Sequence, residues 1–440
     1  MSPLAIGLLS FPALLALVFA RVPIGLAMGL VGGVGSWWVL GTADVTLSQL
    51  KTLTFGTFSS YSLSIIPLFL LMGQFATVSG MSRGLFVAAE AWLGHRRGGV
   101  AMAAVGACAG FGAICGSSLA TAATMGRVAL PELRRAGYSG RLATGALAAG
   151  GTLGILIPPS VVLVIYAILT EQNVAKLFAA AMVPGILAAL AYMAVIAVMA
   201  RRPGEEGASL PRRPYRERFR VLASIWPVVV IFALVIGGIY AGIFHPTEAA
   251  AIGAAGTGLA ALASGRLTRT ALGEALLATA SSTGMLFFII LGAALFNGFL
   301  ALTRLPQETA SWVIEQGLSP WTVLAVVLLL YLALGCIMDS LSMILLTVPI
   351  FFPVMTALDF GMSAEEFGLW FGILVLVVVE VGLITPPVGL NLFVINAMAP
   401  DVPIGRTFRG TLPFVAADIV RVVLLVAFPL LTLGLVRLLY

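Results

Sequence analysis

Apolar runs of 17 residues, 4–20 and 24–40, open the chain, and similar runs follow one another almost to its last residue. A helix packed on a soluble core keeps one polar face. Segments apolar on every face and at least about 17 residues long instead cross bilayers. Only 10% of the 440 residues are charged and 60% are hydrophobic, where soluble domains carry roughly 25% charge. A water-soluble chain is excluded, because its exposed apolar surface would far exceed the few hundred Å² that monomers tolerate. At about 20 residues per span, the length accommodates roughly ten to fourteen membrane segments and almost no extramembrane domain.

The net charge of +6 does not point to nucleic acid. The arginines sit in short links between apolar runs, where the excess of basic residues in cytoplasmic loops explains them. Cys108, Cys115 and Cys336 lie in apolar or glycine-rich segments and fit neither a disulfide framework nor zinc spacing. The chain starts apolar without a basic stretch, so its first segment is expected to be a permanent span and not a cleaved signal. Glycine is abundant, at 49 of 440 against about 7% on average, as close helix packing and unwound segments require.

Residues 4–20 and 24–40 are joined by three residues and predict a helical hairpin. Residues 44–61 are mixed and predict an interfacial stretch, and 63–78 a span. Residues 81–98 mix Arg83, Glu90, His95, Arg96 and Arg97 with apolar residues, as a helix on the cytoplasmic face does. The following weakly polar stretch, about 99–133, has basic residues on both flanks, so both of its ends are expected to be cytoplasmic. That makes it a re-entrant hairpin, with Gly110 to Ser118 at its tip. Residues 142–170 are long enough to cross but are broken by Gly150-Gly-Thr-Leu-Gly154-Ile-Leu-Ile-Pro158-Pro-Ser160, where two prolines remove backbone donors. Residues 177–200 cross again. Residues 201–220 hold seven arginines against Glu205, Glu206 and Glu217 and mark a cytoplasmic linker between halves 1–200 and 221–440.

The second half repeats the first. Spans at 222–244, 249–263 and 271–300 lead to an amphipathic stretch, 303–320. A second hairpin, about 321–357, has its tip at Gly335 to Ser340. A second broken helix, about 369–399, runs through Gly382-Leu-Ile-Thr385-Pro-Pro-Val-Gly389-Leu-Asn391, and 413–439 closes the chain. Gly112 precedes Ser117 by five positions and Gly335 precedes Ser340 by five; Ser117 and Pro158 are 41 apart, Ser340 and Pro386 46. Five spans plus one re-entrant hairpin per half place an odd number of crossings between the halves. The expected fold is therefore an all-α polytopic membrane protein of two inverted-topology repeats, each with a re-entrant helical hairpin and a broken helix. With the N-terminus outside, nearly all basic residues fall inside and the acidic ones collect outside.

Paired broken helices and paired hairpins are the signature of secondary transporters, which bind substrate and coupling ion near the midplane. Unwound backbone offers carbonyl oxygens to a small cation, and half-helix N-termini offer amides to an anion. Oxygen lining without clustered carboxylates suits Na⁺ better than Ca²⁺ or a transition metal. No phosphate-loop motif is present, so the energy source is expected to be an ion gradient. Ionisable residues at depth are functional candidates by default. Asp418 and Arg421, three apart, read as a structural ion pair, and Arg127 as an anchor of the first hairpin more than a substrate contact. Glu380 is open to a structural or a direct role. Asp339 is better placed for ion or substrate contact, against bracing of its loop. Ser117 and Ser118 either cap the returning helix or face the site. An enzyme is not expected: Gly137-Tyr-Ser139-Gly140 sits in a polar turn, and His95 and His245 lie at membrane surfaces.

The strings FGAICGSSLATAATMG, GTLGILIPPS, GCIMDS, VGLITPPVGLNLFV and HPTEAA together resemble the large membrane subunit of tripartite ATP-independent periplasmic (TRAP) transporters, in order and over essentially the whole chain. The resemblance implies an elevator fold like that of other ion transporters, in which hairpins and broken helices slide against a scaffold in the bacterial inner membrane. It implies Na⁺-driven uptake of an organic acid, with no cofactor beyond transported Na⁺. It implies two partners, a periplasmic substrate-binding protein and a small four-helix membrane subunit expected as a separate chain. Carried over by position, one sodium site falls at Gly112 and Cys115 with backbone at Gly154, Ile157 and Pro159, and the other at Gly335 with Gly382, Thr385 and Val388. Many family members have Ser-x-x-Ser where this chain has Gly112 and Cys115, so only carbonyls serve there. Substrate contact falls at Ser117, Ser118, Ser160, Asp339 and Asn391. The rival expectations are a stand-alone divalent-anion/Na⁺ symporter and, from another class, a channel or membrane scaffold.

Overall fold

The computed structural model describes residues 2–205 and 207–440, and among these the chain is helical with no strand. Helices α1 (Pro3–Phe19) and α2 (Ile24–Leu40) form the expected hairpin, and α3 (Ala43–Phe58) runs beside α2 with most of its residues exposed. After a short 3-10 turn come α4 (Ile65–Ser79) and α5 (Met81–Leu93). The first hairpin is α6 (Gly99–Cys115) with α7 (Ser118–Arg135), and the broken helix is α8 (Gly140–Leu156) with α9 (Val161–Leu169), bent by 46°. α10 (Val174–Met199) completes this half. The second half holds α11 (Tyr215–Ser224), α12 (Trp226–Phe232), α13 (Gly238–Tyr240), α14 (Pro246–Ala263), α15 (Arg269–Thr303) and α16 (Leu305–Glu315). There follow the hairpin α17 (Pro320–Gly335) with α18 (Ser340–Thr356), the broken pair α19 (Ala364–Gly382) and α20 (Leu390–Ala397), and finally α21 (Ile404–Ala427) and α22 (Leu430–Leu439).

Three boundaries differ from those expected. Helix α11 already begins at Tyr215, so the last third of the Arg-rich linker is helical, and the span expected at 222–244 is bent by 56° at Ile225, with Pro227 just inside α12, and contains a π turn at Ala233–Gly237. The segment expected as one closing span is two helices, because Pro429 lacks the amide that would continue α21. Finally, α15 extends over 35 residues, where a span of 30 was expected. Among the described residues, four helices are long and apolar enough to cross a membrane by length and composition, or up to six with each bent pair counted as one. At 17 residues, α1, α2 and α6 are each about 25 Å long.

Two cores form. The larger is built from α4 to α10, α12 to α14 and α17 to α22, with Leu286, Ile289 and Ile290 of α15 and Val313 of α16; the smaller joins α1 and α2 to the second half of α15 through Ile6, Leu14, Ala27, Met28, Phe296 and Phe299. The smaller core depends on glycine: a methyl on Gly32 of α2 would lie 2.7 Å from the Phe296 amide nitrogen, so only glycine lets the backbones come this close. The polar linker is stitched to the base of the first hairpin and to α5. Ala208 donates to the Ala136 carbonyl (2.7 Å), Leu210 donates to that of Gly94 (3.0 Å), and Ser139 and Arg141 both reach Glu205. Glu206 lies outside the described residues.

Asp418 and Arg421 form the expected pair at 2.8 Å, both buried. The Tyr192 hydroxyl donates to Asp418 Oδ2 (2.7 Å) and lies 3.1 Å from that of Thr152 on α8, so the pair fastens α21 to α10 and α8. Removing one partner of a buried pair leaves a stranded charge and costs about 3–5 kcal/mol. Asp418→Ala is therefore expected to lower the unfolding free energy in detergent by an amount of that order; an unchanged unfolding free energy would show the pair to be dispensable.

Candidate functional site

The first tip is built by a helix stop followed at once by a helix start. Gly116 ends α6 with φ 64°, a conformation that costs glycine nothing. Ser117 then caps α7, its hydroxyl accepting from the Ala120 amide at 3.4 Å. The tip meets the break in α8, where the stretch from Ile157 to Ser160 separates the two half-helices. Ile157 ends α8 in extended conformation, and the buried Ser160 caps α9 by accepting from the Leu163 amide at 3.4 Å.

Tip and break touch backbone to backbone. A methyl on Gly112 would lie 2.6 Å from Gly154 Cα, one on Gly154 2.7 Å from the Ser117 carbonyl oxygen, and one on Gly116 3.0 Å from that of Pro159. The carbonyl oxygen of Cys115 lies 3.0 Å from the corresponding position on Gly73, so α4 backs the tip. Gly112 and Gly154 thus form a buried contact, with Pro159 beside it against Gly116 and Cys115 against Gly73, whereas Ile157 packs against Gly185 of α10. Beside the contact of Gly112 with Gly154 stands a group the sequence reading missed: the hydroxyl of Thr121, one turn into α7, is buried against Gly154 without a hydrogen-bond partner among the described residues. Its signal is its spacing, four residues beyond Ser117 on the face that meets α8.

The second tip repeats this geometry. A methyl on Gly382 would lie 2.5 Å from the carbonyl carbon of Gly335, and the Gly389 amide donates to the Cys336 carbonyl at 3.0 Å. Thr385 donates to the Val381 carbonyl at 2.6 Å, and Gly389 has φ 66°. Asp339 caps α18, Oδ2 accepting from the Ser342 amide at 3.1 Å, and is partly exposed. The stretch from glycine to cap is one residue shorter here than in the first tip. Ser340 therefore takes the place of Ser118 and not that of Ser117, which corrects the counting from five-residue spacings. The two breaks also differ in exposure: residues 151–160 are all buried, whereas Pro386 and Pro387 are exposed and Thr385 and Val388 half-buried.

The structure brings the two tips together on Glu380. This residue lies two positions before Gly382 on α19 and is fully buried; it accepts from Ser118 through Oε2 and from Ser340 through Oε1 (2.7 Å). The Ser118 hydroxyl is thus committed inward, while Ser117 beside it stays half-buried. Asn391 lies deep between α20 and α8, donating to the Ala148 carbonyl at 3.3 Å, and its Oδ1 has no partner among the described residues. Arg127 is exposed, and among the described residues its guanidinium donates to the Ala123 carbonyl of its own helix at 3.3 Å. Backbone carbonyls of Cys115, Ser117 and Pro159 and the Thr121 hydroxyl gather about the first contact, and those of Cys336 and Val379 about the second.

A family described as "Tripartite ATP-independent periplasmic transporter, DctM component" matches residues 11–431. A C4-dicarboxylate TRAP transporter large permease protein from Pseudomonas aeruginosa is 41% identical over 402 residues, covering 91% of this chain and 92% of that protein. A sialic acid TRAP transporter large permease protein from Vibrio cholerae is 29% identical over 420 residues, covering 95% and 96%. The crystal structure of the Alcanivorax borkumensis YdaH transporter shares the fold with a TM-score of 0.61 at 17% identity, over 88% of this chain and 89% of that one.

Proposed function

The chain belongs to the DctM family, the large permease of tripartite ATP-independent periplasmic transporters, and from that membership we propose that it imports an organic acid driven by a sodium gradient. The substrate is a carboxylate or sugar acid, handed over by a periplasmic binding protein, and a small membrane subunit packs beside this chain. The observation that carries this reading is the doubled contact of a hairpin tip with a helix break, Gly112 on Gly154 and Gly335 on Gly382. Irregular backbone is tolerated at membrane depth only against protein or a water-filled cavity. A mere scaffold gains nothing from building two such places.

Sodium is held at Gly112, Cys115, Gly154, Ile157 and Pro159 in one site, where the free hydroxyl of Thr121 takes the place of the serines that this chain lacks. The other site uses Gly335, Gly382, Thr385 and Val388. Substrate lies between the tips, against Ser117, Ser160, Asp339 and Asn391, with Ser118 shaping the first tip through Glu380. The halves are inverted repeats, the N-terminus is periplasmic, and the body carrying both tips slides as an elevator against the smaller core. The unequal exposure of the two breaks fits one end state of alternating access, with the second break open to water and the first closed.

Uptake into proteoliposomes tests this. Accumulation is expected only with an inward Na⁺ gradient and with binding protein and small subunit both supplied, and it should vanish when K⁺ replaces Na⁺. Accumulation by this chain alone would favour a stand-alone symporter, and Na⁺-independent flux down a gradient would defeat the sodium coupling.

A further inference from the structure

Glu380 stands in a run of valines, Val377, Val378, Val379 and Val381, all buried. A carboxylate in such surroundings costs several kcal/mol unless it is hydrogen-bonded. Its two partners come from different hairpins, 262 and 40 residues away in sequence. Both donors occupy the first helical position after a cap, and Ser117 and Asp339 already serve as the caps. The hydroxyls of Ser118 and Ser340 are therefore not needed to start their helices, and both turn inward to the carboxylate. Tip one is otherwise held by α8, at Gly154, and tip two by α19, at Gly382. Among the described hydrogen bonds, those to Glu380 are what connects one tip to the other.

We propose that Glu380 is a positioning residue that ties the two hairpin tips into one unit, so that a cation ordering either tip also orders the other. The sodium part rests on the function proposed above; the mechanical tie does not. Ordering one end of a tied pair removes part of the entropy cost of ordering the other, which is positive cooperativity without a large movement. In equilibrium Na⁺ binding, two coupled sites then give a Hill coefficient of up to about 2, and untied sites about 1.

The tie is tested by hydrogen exchange on the full chain with its partner subunit in lipid nanodiscs. Ser118→Ala is expected to raise exchange at residues 339–342 of the distant tip, Ser340→Ala at residues 117–121, and Glu380→Ala at both. A change confined to the substituted tip overturns the proposal. Each serine variant removes a single oxygen, so the test stands even where Glu380→Ala fails to fold. In equilibrium Na⁺ binding to the same reconstituted protein, Ser118→Ala, Ser340→Ala and the double variant are expected to share one lowered Hill coefficient, because breaking either arm already breaks the tie. Hill coefficients unchanged from wild type, or falling further in the double variant, also overturn it. A wild type without Na⁺ dependence would defeat the sodium reading instead and leave the exchange result to decide the tie.

Discussion

Gly382→Ala and Gly112→Ala, each the addition of one methyl group, are expected to abolish uptake, lowering the initial rate by at least about a hundredfold. The new methyl on Gly382 would sit 2.5 Å from the Gly335 carbonyl carbon and that on Gly112 2.6 Å from Gly154 Cα. In both cases the obstacle is backbone, which has no rotamer to escape into, so tip and break must part. Overpacking of this kind costs about 1–3 kcal/mol of stability, which a large core absorbs. A displacement of about 1 Å at a binding constellation, however, costs on the order of a hundredfold in rate. Gly273→Ala and Gly284→Ala, on α15 with nothing within 4 Å, are the controls and are expected to transport as wild type. Rates are compared at equal amounts of reconstituted protein. Wild-type uptake by Gly382→Ala would mean that the second contact is not part of the site.

How far these contacts are legible in the sequence follows from what each depends on. The hairpins and breaks are local: Gly116-Ser117 stops one helix and caps the next, and consecutive prolines end helical bonding wherever they occur. Residues 99–135 and 140–169 therefore fold where the pattern places them. The close contact of Gly112 with Gly154, by contrast, brings together residues 42 apart, and the role of Glu380 depends on partners in two other segments. No periodicity announces such meetings. A glutamate among valines signals that partners exist but not which ones. Thr121 escapes notice for the opposite reason, since a threonine in a weakly polar helix is ordinary until its neighbour proves to be Gly154. The one-residue slip between Ser117 and Ser340 shows the limit of counting, because cap position and not distance from a glycine sets which hydroxyl turns inward.

Asp339 separates two roles that one substitution alone would confuse. Its carboxylate caps α18 through the Ser342 amide while remaining partly exposed at the second tip. Replacing an aspartate cap by alanine costs about 0.5–2 kcal/mol, whereas asparagine caps about equally well. Asp339→Ala is thus expected to lose both stability and uptake. Asp339→Asn is expected to keep the wild-type unfolding midpoint and still lose at least about tenfold in uptake, a loss of about 1.4 kcal/mol, because it retains the cap and removes the charge facing the site. Unfolding midpoints and initial rates measured on the two variants side by side decide the matter. If Asp339→Asn transports as wild type, the residue does no more than start its helix, and contact with ion or substrate at the second tip must come from the carbonyls of Gly335 and Gly382 and the hydroxyl of Thr385.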